Sequence, residues 1–314
     1  MRALVYDGQL RLRDVPQPRL NDGEALLKIR IAGICNTDLE LMRGYKEFSG
    51  ILGHEYVAEI VDGVPGKIGQ RVVGEINVAC GGCDLCDRGI PSQCRNRTVV
   101  GMIDHAGAFA EYLTLPIDNL HDVPDTISDV QAVFIEPLAA ATHILEQVHI
   151  RPNDDVVLIG AGKLGLLSAQ VLALTGANLS VVVRHDRQVQ LLKKWGIRHI
   201  YSEDVVAGHS DIVVDCTGTA QGFSDAMRFV APRGTIVLKS SYSDIPRIDM
   251  TQLVVDEITV VGSRCGSFPT ALRYLENGLI DVKSLIDSCY TLDDAVEAIG
   301  HAGEKGVLKV LLKI

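Results

Sequence analysis

Cys80, Cys83, Cys86 and Cys94 lie within fifteen residues, in the run CGGCDLCDRGIPSQC, spaced C-x2-C-x2-C-x7-C. Thiolates this close together can surround one tetrahedral Zn²⁺ without help from the rest of a fold, so the spacing predicts a structural zinc site. An iron–sulfur centre draws on the same four-cysteine donor set. A disulfide ladder is the poorer reading, because nothing else in the chain has secretory character. A closed four-thiolate site has no open position for a substrate, and any reaction has to be carried elsewhere.

A second constellation points to a dinucleotide. Gly160-Ala161-Gly162-Lys163-Leu164-Gly165 is a G-x-G-x-x-G that follows an apolar run and opens a helical one. In that context the first glycine permits a tight turn and the second lets a pyrophosphate approach. The third lets helix and strand pack, and the helix N-terminus offers amide donors to the phosphates. The acidic residue expected about twenty positions further on, for a ribose 2′-hydroxyl, is missing. Arg184 and His185 stand there, with Asp186 next. An arginine pairs with a 2′-phosphate where a carboxylate would repel it, so NADP(H) is expected in preference to NAD(H). Asp215-Cys216-Thr217-Gly218 closes a later apolar run, which puts Thr217 at the cofactor edge and Cys216 in the core.

The elements that must position these residues fall into two textures. The first third is rich in short β-branched segments, EALLKIRIAGI, YVAEIV, QRVVGEINVA and FAEYLTLP, bounded by Gly, Pro or Asp. From about residue 138 strands and helices alternate: DDVVLIGAG, KLGLLSAQVLALTG, LSVVVRH, DRQVQLLKKWG, DIVVDCTG, AQGFSDAMRFVA, GTIVLKSS and EITVVGS. Near-continuous Val/Ile runs between helices predict a parallel sheet covered on both faces. Two helical stretches and a strand-like VLKVLLKI follow. The expected organisation is therefore α/β, with residues 1–138 and 267–314 forming a β-rich domain and 139–266 an inserted doubly wound one. The tail's place in the first domain does not follow from pattern alone.

Composition narrows the partners. The 314 residues carry a formal net charge of −10, which argues against a nucleic-acid-binding face. No apolar run is long enough to span a bilayer, and MRALVYDGQLRLRD lacks the apolar core of a signal peptide. Eight cysteines without an export signal suit a reducing, cytoplasmic setting.

Taken together, GICNTD (33–38), GHE (53–55), the four-cysteine run, EPLA (136–139) and GAGKLG (160–165) resemble the zinc-containing medium-chain alcohol and polyol dehydrogenases, over essentially the whole chain. The sorbitol, threonine and glucose dehydrogenase branches are the most similar, since they carry a glutamate at EPLA where horse-liver-type enzymes carry cysteine. The resemblance implies a GroES-like catalytic domain and a Rossmann domain. It assigns Cys35 and His54 to a catalytic zinc, with Glu55 and Glu136 completing the site; which glutamate binds directly is left open. Thiolate, imidazole and carboxylate are all zinc ligands, and three from the protein leave a fourth position free. Zinc there would lower the pKa of an alcohol whose hydride passes to nicotinamide. Thr37 matches the Ser/Thr that receives the substrate proton. Glu40 stands where many relatives have histidine, and a carboxylate can carry the proton onward or sit in solvent. Glu75, Asn77, Asp104 and His105 fall near substrate-facing positions, their polarity suiting a polyhydroxylated alcohol. Arg264, after the last strand of the nucleotide domain, is expected near the nicotinamide end. Two zinc ions per chain and a homodimer or homotetramer are implied.

Other classes leave different signatures. A zinc-independent quinone or enoyl reductase of the same superfamily has no use for the Cys35/His54/Glu55/Glu136 set. A zinc-ribbon nucleic-acid binder needs a basic face, yet Asp84 and Asp87 lie inside the cysteine run. A non-catalytic nucleotide sensor would show no hydride transfer.

Overall fold

The alternating stretch EALLKIRIAG forms a ten-residue strand, Glu24–Gly33 (β1), with Leu27 and Ile29 buried while Lys28 and Arg30 face outward. The structure, a computed structural model, describes residues 1–242 and 245–314. After β1 come a short helix, Asn36–Met42 (α1), and strands Glu55–Asp62 (β2), Arg71–Gly74 (β3), Tyr112–Pro116 (β4) and Leu120–Asp122 (β5). β2 runs antiparallel to β1 with Glu55 opposite Gly33. QRVVGEINVA, one segment by its pattern, is two strands. β3 stops at Gly74, and Asn77–Val78 joins a separate small sheet with Thr98–Val100 and Asp104–His105. At the break the Asn119 side-chain amide donates to the carbonyls of Glu75 and Asn77, 2.9 Å each, satisfying groups that have left the ladder.

The chain then enters the alternating region: α2 (Ile135–Gln147), β6 (Asp155–Ile159), α3 (Lys163–Ala173), β7 (Asn178–Val182), α4 (Asp186–Lys194), β8 (Arg198–Ile200), β9 (Ser210–Asp215), α5 (Ala220–Phe229), β10 (Val230–Leu238), α6 (Met250–Val255) and β11 (Thr259–Gly262). The six strands form a parallel sheet in the order β8-β7-β6-β9-β10-β11. Order reverses beside β6, the place where such sheets bind a dinucleotide. Register aligns the strand ends there: Ile159 opposes Val182 on one side and Asp215 on the other, and Asp215 opposes Leu238. Beneath that edge Val157, Ile159, Val213, Phe223, Phe229 and Ile236 pack as one apolar cluster. Phe229 is fully buried and contributes about 2–3 kcal/mol by leaving water.

The last segment returns to the first sheet through α7 (Phe268–Glu276), β12 (Ile286–Thr291), α8 (Ala295–Ala302) and β13 (Lys309–Lys313). β13 lies antiparallel on β1 with Leu311 opposite Gly33, and parallel on β12. The sheet order is β5-β3-β2-β1-β13-β12, with β4 also on β1. The tail that pattern alone did not place is thus a central strand. The chain divides into two compact units, Met1–Glu136 with Phe268–Ile314, and Pro137–Ser267. Among the described residues no helix is long and apolar enough to cross a membrane.

Candidate active site and metal centres

Cys35 is the N-cap of α1, and its backbone N–H donates to the Asp38 carboxylate at 2.8 Å, three residues on. That bond turns the chain sharply out of β1 and fixes the thiol at the helix mouth, with Thr37 Oγ1 3.7 Å from Cys35 Sγ. Asp38 is completely buried and also accepts from Gly53 N–H at 3.3 Å. Its Oδ1 lies 3.2 Å from His54 Nδ1. Nδ1 is buried, and the Asp38 carboxylate is the group that faces it. We therefore read the contact as charge attraction that orients the ring and leaves its other nitrogen as the donor for a metal.

Glu55 starts β2 directly after His54, and the two side chains are 1% and 3% exposed. Room for the Glu55 carboxylate exists because its partner in register is glycine. A Cβ at Gly33 would stand 2.7 Å from Glu55 Oε2 and 2.8 Å from Val133. The donor atoms of Cys35, His54 and Glu55 all lie within 4.8 Å of one another. A soft thiolate, an imidazole and a carboxylate, buried together with an oriented histidine, fit a zinc ion with an open position. Glu136, in the first turn of α2, is outside that 4.8 Å group, although its charge acts on the same neighbour.

That neighbour is Lys309. Its ammonium, 3% exposed, is hydrogen-bonded to Glu55 Oε2 and lies 5.6 Å from the centre of the Phe134 ring. Burial opposes the charged amine, but Glu55 and then Cys35 outweigh it and raise the Lys309 pKa. For His54, burial likewise opposes the cation, and Asp38 more than compensates, raising its pKa well above the ordinary value. A divalent cation among these donors reverses that preference and favours neutral imidazole and thiolate. Lys309 and Asp38 were both missed by sequence reasoning. The available signals were a lysine directly before the apolar run VLL of the strand KVLLK and the aspartate within GICNTD.

Glu40 is bonded to Arg43 at 2.7 Å and is 46% exposed, on the solvent side of α1. Glu75 meets His121 Nε2 at 2.9 Å, Asp104 is exposed, and His105 Nδ1 contacts the Ala106 carbonyl.

The four-cysteine lobe is organised differently. Sγ–Sγ distances are 3.4 Å for Cys80–Cys94, 3.5 Å for Cys83–Cys86 and 3.7 Å for Cys83–Cys94. Disulfide sulfurs lie about 2.05 Å apart, while thiolates on a tetrahedral zinc at about 2.3 Å are about 3.8 Å apart. The lobe therefore suits a single ion. The N–H groups of Arg95 and Cys86 point at Cys83 and lower its pKa to about 6, whereas burial raises Cys86 to about 11. Asp84 and Arg95 close the lobe's outer side with an ion pair at 2.8 Å.

In the parallel sheet, Gly160-Ala161-Gly162 turns from β6 into α3, with Gly162 as N-cap and its N–H bonded to the Gly160 carbonyl at 2.8 Å. A Cβ on Gly165 would sit 1.9 Å from Gly160 O, so only glycine lets the helix pack this close. Lys163 and Leu164 open the helix. At the end of β7 the chain runs through buried Val183 to exposed Arg184 and His185, the latter the N-cap of α4; Asp186 is exposed in its first turn. No carboxylate stands at that strand tip. Thr217 follows β9, its N–H donating to Asp215 Oδ1 at 2.7 Å and its hydroxyl accepting from Thr219 N–H. Cys216 is half-buried rather than in the core, and burial of its thiol raises the pKa to about 12. Arg264 is exposed after β11; the Lys239 ammonium donates to its carbonyl at 2.7 Å.

A GroES-like domain with two clusters of residues able to ligate a metal, together with a Rossmann domain, defines an oxidoreductase. Residues 21–125 match the alcohol dehydrogenase GroES-like domain, and residues 164–277 match the zinc-binding dehydrogenase domain. D-arabinitol dehydrogenase 1 of Uromyces fabae is 30% identical over 100% of this chain and 97% of its own. A Sinorhizobium meliloti protein described as a zinc-binding dehydrogenase, bound to NADP, superposes with TM-score 0.91 at 28% identity, covering 100% of this chain and 99% of that one. A short chain alcohol dehydrogenase from Escherichia coli CFT073, complexed with NADH, gives 0.92 at 26% identity with the same coverage. The chain belongs to the zinc-containing medium-chain dehydrogenase family, whose chemistry is NAD(P)-dependent alcohol oxidation.

Proposed function

We propose that this protein oxidises a secondary alcohol or polyol with NADP(H) in preference to NAD(H), and that each chain carries one catalytic and one structural zinc. The observation that carries the reading is the buried Cys35/His54/Glu55 cluster, with its donor atoms within 4.8 Å. When bound, zinc supplies a Lewis acid that acidifies an alcohol, and the nicotinamide supplies a hydride acceptor. Cys35, His54 and one of Glu55 and Glu136 hold the metal, and Glu55 is the glutamate whose carboxylate lies inside the group. Asp38 orients His54 and Lys309 holds Glu55. Thr37 Oγ1, 3.7 Å from Cys35 Sγ, takes the proton from the alcohol. With Glu40 tied to Arg43, the proton passes from Thr37 to solvent without a second side chain.

Residues 1–138 and 267–314 form the catalytic domain in this reading, and 139–266 the dinucleotide domain. Cys80, Cys83, Cys86 and Cys94 hold the structural zinc. Gly160, Gly162 and Gly165 receive the pyrophosphate, together with the helix-opening Lys163 and Leu164. Arg184 and His185 face the adenosine ribose, and Thr217 and Arg264 border the rest of the cofactor. A preference for NADP(H) is supported by Arg184 and by the apolar Val183 at the strand tip. A homodimer or homotetramer is supported by the edge strand β11 and adjoining α6, where Val260, Val254 and Val255 are 40%, 73% and 72% exposed. Reduced thiolate clusters suit the cytoplasm.

Metal analysis combined with a panel of polyols, sugars and secondary alcohols, run with both cofactors, tests the proposal. Two zinc ions per chain and alcohol-dependent reduction of NADP are expected. One zinc or none, or turnover of quinones or enoyl substrates alone, overturns it.

A further inference from the structure

The segment between β7 and α4, which carries Arg184 and His185, is tied to the glycine turn by one side chain. Gln188 Oε1 accepts from Arg184 N–H at 2.7 Å and from His185 N–H at 3.2 Å. Its Nε2 donates to the Ala161 carbonyl at 2.8 Å. Only this orientation of the amide serves all three groups, since two backbone donors face one end and a backbone acceptor faces the other. Gln188 is half-buried in the first turn of α4, and Ala161 is the buried middle residue of Gly160-Ala161-Gly162.

From this geometry we propose that Gln188 is a positioning residue for cofactor discrimination: it holds the Arg184–His185 backbone at a set distance from the pyrophosphate turn. The inference rests on the assignment of Arg184 to a ribose 2′-phosphate. A pyrophosphate and a 2′-phosphate are the two anionic ends of one adenosine moiety, so a binder that discriminates by the second must keep the two receptor segments in fixed relation. Arg184 is exposed, and a long cation loses rotamer freedom when it captures a phosphate. Holding its backbone beforehand removes part of that cost. It does so only for the phosphorylated cofactor, because the unphosphorylated one makes no demand on the guanidinium. The two N–H groups are also occupied by Gln188. That leaves the phosphate to the Arg184 side chain.

Dissociation constants for NADPH and NADH, from fluorescence titration of the zinc-loaded protein without substrate, test the proposal. The set is wild type, Gln188→Met, Gln188→Glu, Arg184→Ala and Arg184→Ala with Gln188→Met. Gln188→Met is expected to weaken NADPH about fivefold relative to NADH, the scale of one net hydrogen bond. On the Arg184→Ala background it is expected to change the ratio no further. Gln188→Glu keeps the acceptor but loses the donor to Ala161 and adds a like charge, so it is expected to weaken NADPH at least as much. The NADH constant reports whether each variant is folded. Equal weakening of both cofactors, or an effect of Gln188→Met that persists without Arg184, overturns the positioning role and leaves a helix cap. A wild type without NADPH preference overturns the Arg184 assignment and this inference with it. A preference lost in Arg184→Ala but kept in Gln188→Met overturns the role of Gln188 alone.

Discussion

The two cysteine-containing centres share a thiolate donor but put it to opposite ends. The four-thiolate lobe gathers its donors from fifteen consecutive residues and closes around its own centre. The Cys35 site draws donors from a helix cap and from the start of β2, and its supporting lysine from the last strand of the chain. The lobe can hold its shape with little beyond its own backbone. The Cys35 site exists only once β1, β2 and β13 have paired. A self-contained cluster suits a structural ion. A site assembled from distant strands can be buried, polarised and left with one position open.

The largest expected effect separates the centres outright. Cys35→Ser should abolish turnover and remove one zinc while the melting temperature changes little. Cys94→Ser should remove the other zinc and lower the melting temperature. Paired metal analysis and thermal denaturation measure both, and equal effects on turnover and stability from the two variants would erase the distinction.

Next in size is the buried ion pair. Lys309→Met leaves the Glu55 carboxylate uncompensated at 1% exposure, and should destabilise the zinc-free protein by about 3–5 kcal/mol. Adding Glu55→Gln should restore part of that loss. Denaturant titration measures it, and an unchanged midpoint would mean that the pair is not what supports the site.

Asp38→Asn keeps the shape but removes the charge facing His54. Zinc affinity at the Cys35 site should fall about 10–100-fold, with the lobe unaffected. Chelator competition reads the two sites separately. Arg184→Asp should move preference from NADP to NAD, measured as the ratio of kcat/KM values. The smallest effect expected is from Glu40→Gln. A residue paired with Arg43 in solvent should leave turnover within about twofold of wild type, and a large loss would return Glu40 to the proton path.

Much of this was legible in residue order, for identifiable reasons. Local motifs whose chemistry is carried by neighbours in sequence could be read directly, as with the thiolates of Cys80–Cys94 and the glycine turn at 160–165. The alternation of Val/Ile runs with helices announced the parallel sheet. QRVVGEINVA was harder, because the break at Gly74 depends on a distant side chain, Asn119, accepting the role of the missing ladder. Glu40 and Thr37 are near neighbours on one short helix, and only the structure shows that Glu40 turns to Arg43. Gln188 lies within DRQVQLLKKWG, whose pattern marks a helix and no partner for the amide. Its partner, Ala161, lies twenty-seven residues earlier.

By itself, the sequence determined which donors exist and which are held together by short loops, because spacing of a few residues constrains geometry whatever the rest of the chain does. Tertiary structure alone decided the company those donors keep. Lys309 is 254 residues from Glu55, and only strand pairing on both edges of β1 brings its ammonium beside that carboxylate. Burial then makes that meeting matter, since charges removed from water must find each other within the fold.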